Sequence, residues 1–106
     1  MHHPLESINR NSTGKFKINL TNGDSFSGMF ENGEREGPGI LKFGVINKRK
    51  YEMLEIEGNY ESDILQGNVS ISYVNGEKLV CMFVDGVPNG PAKLFDGENQ
   101  IKQVSK

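Results

Sequence analysis

The sequence predicts an all-β protein, a single twisted antiparallel sheet of about three and a half β-hairpin repeats. These repeats occupy residues 13–106, behind a flexible N-terminal segment of residues 1–12 that lacks periodicity. Three observations lead there. Short runs alternate apolar with polar residues, Asn-Gly and Asp-Gly pairs punctuate those runs, and one spacing of glycines and large apolar residues recurs along the chain. No stretch keeps a 3.6-residue apolar period long enough for a helix.

The recurring spacing is clearest from Gly23 to Gly39, GDSFSGMFENGEREGPG. Phe26, Gly28 and Phe30 share one parity and face one side of a strand. Gly28 leaves room between the two rings for a neighbour to come close. The same frame returns as Met53, Ile56, Gly58, Tyr60, Asp63, Gly67 and Val69, and again as Gly76, Leu79, Cys81, Phe83, Gly86, Gly90 and Ala92. The offset is 30 residues from Gly23 to Met53 and 23 from Met53 to Gly76, so the first connection carries an insertion. Gly14, Phe16, Ile18 and Leu20 lie 23 residues before Gly37, Gly39, Leu41 and Phe43, so the chain opens on half a repeat.

Taken in order, Phe16, Ile18 and Leu20 alternate with Lys17 and Asn19 as a half-buried strand. Asn22 and Gly23 are a strong hairpin signal into a strand over 25–31. A turn over 32–37 and a return strand over 39–43 follow, then a longer loop carrying Lys48, Arg49 and Lys50. Ile56, Gly58 and Tyr60 face inward on the next strand, and Val69, Ile71 and Tyr73 on its return. Asn75 and Gly76 turn the chain into Leu79, Cys81 and Phe83; Asp85 with Gly86 and Asn89 with Gly90 close the last hairpin. Ile101 and Val104 mark a final strand at the edge. Each hairpin is marginal alone and is stabilised by its neighbours, so the repeats should fold together.

This pattern resembles the MORN repeat (membrane occupation and recognition nexus), whose units are an aromatic–Gly–aromatic strand, a turn and a small-residue return strand. The last copy, GEKLVCMFVDGVPNGPAKLFD, is similar to the MORN repeats that precede the catalytic domain of a SET-domain lysine methyltransferase. The resemblance covers residues 14–97. Met53, Asp63, Val69, Cys81 and Ala92 depart from it, each standing where the pattern has glycine.

Composition bounds the function. The chain has 106 residues, enough for one domain, and 35% hydrophobic content with 13 glycines and no Trp, which suits a thin sheet better than a thick core. A net charge of −2 argues against general nucleic-acid binding, which needs a basic surface. One cysteine, Cys81, excludes an internal disulfide framework and fits a reducing, intracellular setting, cytoplasmic or nuclear. No apolar run approaches the roughly 20 residues that span a bilayer.

Catalysis needs a nucleophile with its base, paired carboxylates in a cleft, or a metal set. His2 and His3 are the only histidines and make a poor metal pair at the start of the chain, Cys81 reads as a small buried thiol, and the acids fall in turns or on outward positions. The expectation is a chain without catalytic residues or cofactor of its own. Two features carry binding instead. Val80, Met82 and Val84 form an apolar second face on a strand whose counterparts are mixed or polar (Ser25, Ser27 and Met29, then Glu55, Glu57 and Asn59), which calls for cover by the chain's termini, by a protein partner, by a second copy or by an adjoining domain. Lys48, Arg49 and Lys50 form a basic loop, for which the resemblance implies acidic phospholipid; at about 1 kcal/mol per basic residue this is weak. Three functions follow: a protein-interaction scaffold, an N-terminal regulatory domain of a SET-type lysine methyltransferase, or a peripheral phosphoinositide-binding module.

Overall fold

The computed structural model describes residues 8–20, 23–44, 52–97 and 99–104. Among them the chain forms nine strands of one open antiparallel sheet and no helix. The strands are β1 (Gly14–Asn19), β2 (Ser25–Glu31), β3 (Glu34–Lys42), β4 (Met53–Glu61), β5 (Ile64–Tyr73), β6 (Glu77–Val84), β7 (Val87–Pro88), β8 (Ala92–Asp96) and β9 (Asn99–Val104). They lie side by side in chain order, with the short β7 paired to the end of β6 and β8 continuing along β6. The final strand expected near Ile101 and Val104 is β9, paired antiparallel with β8.

Three hairpins turn on two residues each. Glu31 pairs with Glu34 across Asn32-Gly33, Glu61 with Ile64 across Ser62-Asp63, and Val84 with Val87 across Asp85-Gly86. Both residues of every tip have positive φ: 52° and 85°, 49° and 74°, 53° and 83°. This is the type I′ turn, whose twist matches that of the strands it joins. The tips are therefore tighter than the turn expected over 32–37, and β3 starts at Glu34.

What the sequence suggests as an extended turn is a step within the return strand. Phe30 pairs with Arg35 but Gly28 with Gly39, so β3 carries two more residues than β2 across that step. Asn59 pairs with Gln66 but Glu57 with Ser70, the same jog in β5. Phe83 pairs with Pro88 but Val80 with Lys93, the same again between β7 and β8. Gly37, Gly67 and Gly90 sit at these jogs with φ of 93°, 85° and 93°, a conformation side chains with a Cβ rarely adopt.

Successive tips are tied together by one repeated pair of hydrogen bonds. The N–H groups of Gly33, Asp63 and Gly86 donate to the carbonyl oxygens of Ser12, Arg35 and Leu65 at 2.8, 2.9 and 3.0 Å. The N–H groups of Asn32, Ser62 and Asp85 donate to Thr13 Oγ1, Glu36 Oε1 and Gln66 Oε1, each at 3.0 Å. The first rung falls on residues 8–12, which the sequence groups with the flexible N-terminal segment. Here they form a turn in which Ser12 is buried, its N–H donating to the Asn9 carbonyl, and Ile8 packs on the core.

The core lies on one face of the sheet. Phe26, Phe30 and Tyr60 are buried together, with Phe16, Ile18, Leu41 and Leu65 against them. The rings meet edge to face in sequence: Phe16 with Phe30 at 5.7 Å, Phe30 with Phe26 at 5.7 Å, and Phe26 with Tyr60 at 5.5 Å. Gly39 lacks a Cβ because the Phe26 ring occupies its place, and a Cβ on Gly28 would lie 2.9 Å from the Gly39 Cα. At the positions equivalent to Phe26 and Gly39 the later repeats carry Ile56 and Val69, then Leu79 and Ala92, so a smaller residue in place of the ring goes with a larger one in place of the glycine. Val69 is wholly buried and its Cγ2 lies within 3.1 Å of where a Gly58 Cβ would be.

Phe26→Ala or Phe30→Ala should lower stability by about 3–5 kcal/mol in urea denaturation, the usual cost of a buried aromatic. Gly39→Ala should cost about 1–3 kcal/mol by overpacking. Combining it with Phe26→Leu, which copies the Leu79 and Ala92 pairing, should cost less than the two changes summed; strict additivity would refute the volume exchange.

Candidate interaction surfaces

The residues expected to face inward differ in burial. Phe26, Gly28, Phe30, Tyr60 and Cys81 are buried, while Ile56, Gly58, Leu79 and Phe83 are half-buried. Half-burial has a plain cause. The sheet is one layer, and all extensive contacts between elements are between neighbours within it. Ile18, Phe26, Leu41, Ile56, Ile71, Leu79 and Leu94 follow one another in register across seven strands, giving a continuous apolar row.

Above this row, near the tips, Arg35 closes one side of an open groove. Two depressions of about 330 and 390 Å³ share Arg35, Leu41 and Asp63, one reaching Ile18 and Leu20 and the other Ile56 and Ile64. The Arg35 guanidinium lies over the Tyr60 ring at 4.5 Å and the Phe26 ring at 5.6 Å. Asp63 holds it there. Arg35 Nε and its backbone N–H both donate to Asp63 Oδ1, at 2.8 and 2.9 Å, and Arg35 Nη2 donates to the Asp63 carbonyl at 2.9 Å. These hydrogen bonds hold the Asp63 carboxyl below its ordinary value, first through the side chain and then the backbone of Arg35. Burial pushes the Tyr60 hydroxyl up, with Arg35 pulling the other way. Asp63 is visible in the sequence only as an acid where the other tips have glycine; nothing in the sequence marks Arg35.

On the opposite face, Val80 is half-buried beside Ser70 and Lys93, its cross-strand neighbours. Met82 and Val84 are 44% and 41% exposed, and Val87, paired with Val84, is 59% exposed. Val87 extends the patch beyond the three residues the sequence singles out; it falls on the short return strand after Asp85-Gly86, where no alternation reveals it. Among the described residues no element crosses the patch. β9 lies beside β8 in the sheet plane, and residues 8–12 lie at the far end. Elsewhere this face mixes charged and polar residues with isolated apolar ones: Lys42 stands across from Glu55, Ile40 lies between Ser27 and Glu57, and Met29 is 40% exposed.

The described residues contain no group of three or more His, Cys, Asp or Glu placed to hold a metal. Cys81 is buried with its Sγ donating to the Met82 carbonyl at 3.4 Å. Lys48, Arg49 and Lys50, and His2 and His3, lie outside the described residues. The chain matches no protein-family model and no curated protein. What stands on observation is a one-layer antiparallel sheet of hairpins with an apolar groove on one face and an apolar patch on the other.

Asp63 binds its proton more weakly in the fold than in the unfolded chain, so its contribution is present at neutral pH. It is lost as pH falls through the folded value, below about pH 4. Asp63→Asn keeps a residue tolerant of positive φ and should be less stable near neutrality by about 0.2–1 kcal/mol, since the pair is largely exposed. Acid titration of both proteins should close that gap; a constant difference would mean the ion pair contributes nothing.

Proposed function

We propose that this chain is a non-catalytic protein-interaction module of the MORN-repeat type, whose main contact is the patch of Val80, Met82 and Val84 together with Val87. The patch itself supports this most directly. A sheet face in water alternates toward polar residues, yet four apolar side chains stand together here without cover from any described element. Stable complexes place apolar and Met-rich clusters of this kind at the desolvated centre of the contact, inside a polar rim. Lys78 and Lys93 on one side and Asn68 on another supply such a rim. The MORN reading is supported by the aromatic–Gly–aromatic strand of β2, by the small residue Gly39 beneath the Phe26 ring on its return strand, and by packing between neighbouring hairpins.

Met82→Lys tests this with little risk to the fold, because the side chain is already 44% exposed. Its stability should stay within about 0.5 kcal/mol of wild type. Affinity purification from source cells, compared by quantitative mass spectrometry, should show wild-type partners depleted at least tenfold with the variant. Equal recovery with the fold intact by circular dichroism would exclude the patch as the contact.

A further inference from the structure

The open edge of β1 carries a second inference, separate from the patch. By the 23-residue frame, Gly14, Phe16 and Ile18 occupy the places of Gly37, Gly39 and Leu41. On β3 both edges are filled, by β2 on one side and β4 on the other. On β1 only one is: β2 takes the place that β4 takes on β3, and no described strand takes the other. Among the described residues the first strand is a return strand without its outgoing partner.

We propose that this edge docks an acidic extended segment of a partner protein, added as one more antiparallel strand. Strand addition of this kind takes its affinity from main-chain hydrogen bonds and its specificity from alternate side chains. The sheet itself shows what fits. Beside Ile18 and beside Leu41 stands Phe26; beside Phe16 and beside Gly39 stands Gly28. The segment should therefore carry an aromatic residue opposite Ile18 and a glycine opposite Phe16.

Charge decides the remaining positions. Lys15 and Lys17 are exposed on the other face, directly across from Met29 and Ser27, so neither has a carboxylate opposite it on β2; Glu31 stands only diagonally to Lys15. Further along, the sheet places Glu55 across from Lys42. Acidic residues opposite Lys15 and Lys17 complete the same pairing, and an antiparallel segment then reads aromatic, acid, glycine, acid. The lysines also weigh against a second copy: two copies joined antiparallel about Phe16 would set Lys15 of each against Lys17 of the other, and like charges directly opposite are destabilising.

The test uses the full chain and a labelled peptide repeating Phe-Glu-Gly-Glu, with Phe-Lys-Gly-Lys and backbone N-methylated Phe-Glu-Gly-Glu as controls. By fluorescence anisotropy the acidic peptide should bind, more weakly as salt rises, and both controls should fail. Lys15→Glu with Lys17→Glu should weaken it by about tenfold or more and admit the basic peptide instead. Retained binding of the N-methylated peptide, or indifference to the charge reversal, would overturn the proposal. So would absence of binding. Hydrogen exchange on the free chain separates the rival occupants. Protection of the outward amides of residues 14–18 in a monomer would mean that the chain fills its own edge, and protection only in a dimer would mean a second copy does; either result overturns the proposal.

Discussion

The hydrogen bonds between successive hairpin tips are the constraint on which the rest of the sheet depends. A type I′ tip points two consecutive N–H groups outward, and in a lone hairpin water would satisfy them. Here the preceding return strand does so, with a main-chain carbonyl and with the side chain of Thr13, Glu36 or Gln66. For that strand to reach the next tip it must overshoot its own partner by two residues, and Gly37, Gly67 and Gly90 accommodate the overshoot. Tip, ladder and jog are one device. Removing any one of them returns the tip N–H groups to water and unties one hairpin from the next.

The same device explains why the core can be one layer thick. The jog brings a small return-strand residue under the aromatic of the strand before it, so Phe26 rests on Gly39 rather than on a second layer. The edge-to-face relay from Phe16 to Tyr60 then runs across strands and couples the opening half repeat to the two hairpins that follow it. At the equivalent positions of the later repeats the ring is replaced by Ile56 or Leu79 and the glycine by Val69 or Ala92, a smaller residue on one strand with a larger one on the other. The Ser62-Asp63 tip has no glycine, and the bonds between Asp63 and Arg35 offset the cost of its left-handed main chain.

Period-two alternation, turn pairs and repeat spacing made the fold class, the strand order and the inward face legible. They rest on local chemistry that every copy states again. The tip ladder was not legible: Thr13, Glu36 and Gln66 share only an oxygen-bearing side chain, and their role depends on which residue arrives above them. For the same reason the turn expected over 32–37 is a two-residue tip followed by a step. The apolar second face of β6 could be read from Val80, Met82 and Val84, whereas Val87 could not, being set by the fold-back after Gly86. Arg35 carries no local signal at all. It becomes the wall of a groove only because residues 28 positions later bend back to hold it.

The hairpins have two unlike ends. At the tips, three turns of identical length are stitched rung to rung, and one extra residue would slip the ladder and turn every following side chain to the wrong face. At the opposite end, the connection between β3 and β4 is seven residues longer than the one between β5 and β6, by the difference of the 30- and 23-residue offsets, and the strands on either side keep their register. New sequence can therefore be gained on that margin alone. Divergence among chains of this architecture should concentrate there, and a tag or domain grafted between 43 and 52 should leave the sheet as it is.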